Sequence, residues 1–178
     1  MQRSRGFTLI ELTASLAVVG VLAGIAVPAV QGAFEAGRSG AAKGALVESW
    51  LASVSHAALT GSEVVLCPGD ANGCRQSIDW SEGWIAYADI DGNRQRSANE
   101  TLLKQAEPLG GKVHLRSTAG RTRVVFQPNG GNAGSNITWT LCDGRGVSKA
   151  TTVVVSNAGR LRSGTPTAAA AEACMRAM

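Results

Sequence analysis

Histidine is nearly missing from this chain: His56 and His114 are the only two in 178 residues. The four cysteines, Cys67, Cys74, Cys142 and Cys174, include no Cys-x-x-Cys pair. Zinc sites draw on closely spaced cysteines and histidines, so these shortages argue against zinc. There is no Gly-x-Ser-x-Gly elbow, no phosphate-binding glycine loop and no histidine in a triad-like setting. Those absences remove the usual nucleophilic and nucleotide-dependent chemistries, so the chain does not read as an enzyme and no cofactor is expected. Charge is also missing over one long stretch. From Phe7 to Val30 the only charged residue is Glu11, and the next is Glu35.

That apolar run is about the length a helix needs to cross a bilayer. Arg3 and Arg5 precede it, which keeps the leader cytoplasmic and sends the rest of the chain to the periplasm. A carboxylate in hydrocarbon is costly unless something pairs with it, so Glu11 asks for a functional explanation. The order Gly6-Phe7-Thr8-Leu9-Ile10-Glu11 after a short basic leader resembles the type IV prepilin signature. The resemblance implies that a membrane prepilin peptidase cuts between Gly6 and Phe7 and that the new amino group of Phe7 is methylated. It also implies that Glu11 pairs with the N-terminal amine of a neighbouring subunit. A secretory signal would instead be cut behind the apolar run, where Pro28 to Ala33 offers only a loose match.

The chain is long enough for one membrane helix and one domain of roughly 120 residues with a real core. An even number of cysteines in an oxidising compartment favours disulfides. The Cys67-x6-Cys74 spacing suits a small bridged loop, leaving Cys142 to join Cys174, with two other connectivities open. The net charge of +4 conceals an asymmetry: residues 7–109 sum to −5 and residues 110–178 to +7. A basic C-terminal part on an extracytoplasmic domain points to a polyanion or an acidic neighbouring subunit.

Pro28 is expected to bend the first helix, and Gly32, Gly37 and Gly40 to weaken its next turns. Leu46, Val47, Trp50, Leu51, Val54 and Ala58 recur at helical spacing and predict an amphipathic segment lying on a sheet. Beyond residue 60, short β-type runs are separated by glycine and asparagine. They predict strands at Glu63–Cys67, Trp84–Asp89, Lys112–Ser117, Arg123–Gln127, Ile137–Cys142 and Thr151–Ser156, with a further one near Gly159. Asn129 to Gly134 reads as an exposed loop, Trp80, Trp84 and Trp139 as core, and Thr165–Ala173 as a tail that is loose unless Cys174 pins it. The expected divisions are a leader at 1–6, a transmembrane and assembly helix at 7–30, an amphipathic helix at 31–60 and a β domain at 61–178.

Leu66-Cys67-Pro68, Cys74, Gly83-Trp84-Ile85, Asp89-x-Asp91-Gly92-Asn93, Leu141-Cys142-Asp143 and Ser156-Asn157-Ala158-Gly159-Arg160-Leu161-Arg162 are similar, in that order, to the GspH/FimT subgroup of minor pilins and pseudopilins. The resemblance implies an α+β, pilin-like lollipop in which a long N-terminal helix packs on an antiparallel β-sheet domain. It also implies other pilins as partners, and a subunit anchored in the bacterial inner membrane by a single span before it enters a pilus or pseudopilus.

Gly159-Arg160-Leu161-Arg162 is the sharpest candidate for specific chemistry. In a strand, Arg160 and Arg162 would share one face about 7 Å apart, close to two phosphate rises of one nucleic-acid strand. Their forked donors suit phosphate, Gly159 would supply the turn and Leu161 would point inward. This pattern resembles the DNA-binding motif of FimT-type minor pilins, which implies capture of DNA during natural transformation. Arg121 and Arg123 sit two apart beside Gly120, and Lys112, Arg116, Arg145 and Lys149 extend the basic set. No aromatic side chain is interleaved with them to stack bases, so contacts would go to the backbone, independent of sequence. The rival is a structural type II secretion pseudopilin like GspH, whose charges serve subunit or cargo contacts. Asp89, Asp91, Asn93 and Glu100 match positions 1, 3, 5 and 12 of an EF-hand count, but Arg94 stands where that loop needs glycine and no flanking helices are evident. A polar turn is the expectation there.

Overall fold

The apolar run and the amphipathic segment form one helix, α1 (Leu9–Thr60), which continues through Pro28 and all the glycines. The computed structural model describes residues 8–133 and 136–177. It divides into two units between Phe34 and Glu35. In the first, α1 opens on a capping box: the Thr8 N–H and hydroxyl both donate to Glu11 Oε2 at 2.9 Å, and the Glu11 N–H donates to Thr8 Oγ1 at 3.3 Å. That reciprocal pair satisfies orphan donors of the first turn. Every side chain from Leu9 to Val30 is exposed, and the segment is long and apolar enough to cross a membrane.

In the second unit, the C-terminal part of α1 lies on two antiparallel sheets. Its buried stripe is Ser39, Ala42, Leu46, Ser49, Ser53 and Ala57. Two of these serines stay in an apolar contact because their hydroxyls donate to the preceding turn, Ser49 to the Ala45 carbonyl and Ser53 to the Ser49 carbonyl. This corrects the expected stripe: Leu46 is buried and Trp50 and Val54 pack at its margin, but Leu51 and Ala58 face outward.

The strands are β1 (Glu63–Asp70), β2 (Gly73–Cys74), β3 (Trp84–Asp89), β4 (Leu102–Ala106), β5 (His114–Ser117), β6 (Val124–Phe126), β7 (Ile137–Cys142), β8 (Thr151–Val155) and β9 (Leu161–Gly164). One sheet runs β2-β1-β3-β4, with β6 also pairing β1, and the other runs β5-β7-β8-β9. Alternation along β1 sends Val64 and Leu66 to the main core and Val65 and Cys67 to a second buried cluster on the other face of the sheet. Trp80, Trp84 and Trp139 are fully buried. The Trp80 and Trp139 rings meet edge-on at 5.3 Å, and the Trp84 indole N–H donates to Ser49 Oγ at 3.0 Å.

Disulfides join Cys67 to Cys74 and Cys142 to Cys174. The second holds a short helix, α2 (Ala168–Met175), whose Ala171 and Cys174 are buried. The Thr167 hydroxyl caps that helix by accepting the Ala170 N–H. Cys174 thus pins the tail, the condition under which it was not expected to be loose, and the pinned segment is a docked helix.

Candidate functional site

The turn joining β8 to β9 is set by a few backbone bonds. The Gly159 N–H donates to the Ser156 carbonyl at 2.9 Å, and the Ser156 N–H donates to the Arg160 carbonyl at 3.0 Å. Gly159 sits at φ +72, as the left-handed position of such a hairpin loop requires. Glycine is demanded for a second reason as well: a Cβ there would lie 2.0 Å from the Gly130 carbonyl oxygen. Asn132 completes the seat. It is fully buried, its amide donates to the Ser156 carbonyl at 2.8 Å, and its N–H donates to the Asn157 carbonyl at 3.0 Å. The segment expected as an exposed loop is thus, over its described residues, the platform on which the arginine turn rests, and Gly134 lies outside them.

Arg160 precedes β9 and Arg162 lies within it, opposite Val154 on β8. Both side chains are exposed, whereas Leu161 between them packs against the core. The two arginines line one groove of about 630 Å³ together with Asn136, Val154, Ser156 and Asn157. β9 ends its sheet, so the groove lies at an open edge. The amide side chains of Asn157, within the Ser156–Arg162 run, and of Asn136, which no sequence motif singles out, add hydrogen-bonding capacity beside the two guanidinium groups.

The other basic residues do not form one patch with this pair. Arg121 and Arg123 border a separate cleft of about 320 Å³ with Arg94 and Ala133, and Arg123 donates to the Arg94 carbonyl at 3.0 Å. The 127–133 loop links the two places, touching the turn through Gly130 and Asn132 and the cleft through Ala133. Arg145 and Lys149 sit on the β7–β8 connection, at the opposite end of β8 from the turn. Five strand residues separate the ends, roughly 17 Å. Arg116 is half-buried and donates to the Ala173 carbonyl at 2.6 Å, fastening α2.

Arg145 is committed to a buried carboxylate. Its Nε and Nη2 donate to Asp143 Oδ1 and Oδ2 at 2.9 and 2.7 Å, and Asp143 is 1% exposed. Burial pushes the Asp143 carboxyl up, but the hydrogen bonds from Arg145 and from the Ser39 hydroxyl outweigh it and hold the group below the usual carboxylate range. Gly6 and Phe7 lie outside the described residues. Glu11 is exposed near the start of α1, where its carboxylate meets Thr8.

A long N-terminal helix whose second part covers antiparallel sheets, preceded by a cleavage-type motif, defines a pilin-like subunit. The chain belongs to the GspH family: the model for "Type II transport protein GspH" matches residues 52–159, and the prokaryotic N-terminal methylation motif matches residues 1–27. It is a minor pilin or pseudopilin of that family, and the methylation motif implies processing by prepilin peptidase and assembly with other pilins. The fold is similar to the type IV minor pilin FimU of Pseudomonas aeruginosa, at 12% identity and a TM-score of 0.56 over 78% of this chain and 92% of that one. It is also similar to the minor pseudopilin EpsH from the type 2 secretion system of Vibrio cholerae, at 13% identity and a TM-score of 0.52 over 73% and 98%. No curated protein matches the chain significantly. The family match ends at Gly159, so Arg160 and Arg162 fall just beyond it.

Proposed function

We propose that the chain is a minor type IV pilin that binds extracellular DNA through Arg160 and Arg162 for uptake in natural transformation. In this reading a leader of residues 1–6 is removed at Gly6, and the subunit waits in the inner membrane on a single span with its domain in the periplasm. It then enters the fibre with Glu11 paired to a neighbour's amine. The observation that carries the DNA reading is the groove itself. Two exposed guanidinium groups share it, one just before an edge strand and one within it, beside a turn whose glycine no other residue can replace without displacing backbone. Arg121 and Arg123 would extend the contact across the 127–133 loop. Arg145 is left out, because its charge is already paired with the buried Asp143 carboxylate.

Such binding is electrostatic and independent of sequence. Two phosphate contacts would make affinity fall about tenfold between roughly 50 and 200 mM salt. Replacing both residues (Arg160→Ala with Arg162→Ala) should abolish most retardation of DNA at low salt while leaving the near-ultraviolet circular dichroism unchanged. A folded double variant that retards DNA like the parent would remove these residues from the interface. In cells the same variant should lose transformation yet still assemble pili.

A second reading, a structural pseudopilin of a type II secretion system, is favoured by the family match. Under it the double variant would leave DNA behaviour unchanged and would alter fibre assembly or secretion instead.

A further inference from the structure

The connection from β3 to β4 doubles back so that Glu100 returns to Asp89, its start. Carboxylate oxygens of Asp89, Asp91 and Glu100 all lie within 4.8 Å of one another. Asp89 is 2% exposed and Glu100 5%, while Asp91 stays open to solvent. Glu100 is held by two backbone donors, Ile90 N–H to Oε1 at 3.1 Å and Ser97 N–H to Oε2 at 2.8 Å. Asp89 Oδ2 accepts the Arg94 N–H at 3.1 Å, but Asp89 Oδ1 is buried and has no hydrogen-bond partner among the described residues.

A buried carboxylate oxygen without a donor, close to two further carboxylates, is an unfavourable arrangement unless something positive completes it. Hard divalent cations are held by such oxygen sets. The backbone also removes the objection raised by sequence. Arg94, at position 6 of the loop, adopts φ 59, the left-handed turn that glycine usually makes there. The flanking elements are strands, so the loop is an EF-hand-like count carried on a hairpin.

We propose that the Asp89–Glu100 loop is a calcium site, with Asp89 Oδ1 as its anchoring ligand and Asp91 and Glu100 completing the carboxylate set. Calcium fits better than magnesium, because magnesium keeps most of its waters and demands a small octahedron, whereas calcium accepts several protein oxygens in irregular geometry. Arg123 donates to the carbonyl of Arg94 in this loop, so an ordered loop would also order the Arg121–Arg123 cleft.

The test is calorimetry on the full chain in detergent micelles, stripped of metal and titrated with calcium chloride, with magnesium chloride in parallel. One calcium ion per chain is expected, with a dissociation constant of about 10⁻⁴ to 10⁻³ M, the range of extracellular modules. Calcium should also raise the melting temperature. Asp89→Asn and Glu100→Gln should each weaken binding at least about tenfold. Because either buried substitution can unsettle the hairpin, Asp91→Asn, at an exposed position, is the deciding variant: it should keep the parent's circular dichroism and lose most of the calcium-dependent rise in melting. No heat and no melting shift in folded parent protein at about 10 mM calcium would overturn the proposal. So would an equal response to magnesium, or binding undiminished in Asp91→Asn.

Discussion

Gly159 shows how much of the candidate interface depends on one missing methyl group. Its positive φ and its approach to the Gly130 carbonyl both exclude a Cβ. The Gly159→Ala variant keeps both arginines and should nevertheless lose DNA retardation. It should also be destabilised by roughly 1–3 kcal/mol from the backbone conformation alone; thermal melts and gel shifts on the same preparation would check both. Unchanged retardation would mean that the arginines need no fixed turn. The residue type and the turn were legible in the order Asn157-Ala158-Gly159-Arg160. Gly130, the neighbour that makes the glycine sterically obligatory, was not, because it belongs to another loop 29 positions earlier in the numbering.

At the scale of elements, the end of β7 is tied to α1 through Asp143, which receives Arg145 and the Ser39 hydroxyl. Arg145→Ala should cost about 1–3 kcal/mol at neutral pH, since it leaves a buried carboxylate short of donors. The folded-state affinity of Asp143 for a proton is depressed. Its stabilising contribution is therefore complete above the ordinary carboxylate value of about 3.9 and is lost as pH falls through the lower folded value. The stability gap between parent and variant should accordingly be constant near neutrality and close in acid; urea denaturation across pH would show it. Strands with long apolar runs, such as β3 and β7, could be read directly from the sequence. β4 could not, because Lys104 and Gln105 at a half-buried edge break any alternation. α2 was hidden for the opposite reason: an alanine run fits many states, and docking through Cys174 selects the helix.

For the whole molecule, α1 presents a fully exposed apolar surface from Leu9 to Val30, which requires lipid or other subunits to cover it. Glu11 is the single charge within it. Exchanging it for an apolar residue (Glu11→Val) should leave the chain in the membrane, with Phe7 as a methylated N-terminus by mass spectrometry, yet remove it from sheared filaments. Recovery in filaments at parental levels would separate Glu11 from assembly. The +7 balance of residues 110–178 pointed to a polyanion or an acidic neighbouring subunit, without saying which charges share a surface. Folding distributes those charges: Arg160 and Arg162 to one groove, Arg121 and Arg123 to a second cleft, Arg145 to an internal ion pair and Arg116 to α2.

The amino-acid order alone settled what rests on neighbouring residues. The processing motif, the membrane-length helix and most strands are written in contiguous runs and in periods of two or 3.6 residues. Charge sums and residue types could also be counted there. Tertiary structure decided every feature that needs the chain to return on itself: which arginines share a surface, which one is spent on a buried acid, and that Glu100 closes on Asp89. Those outcomes depend on strand register and on loops meeting across sheets, and no local period encodes either.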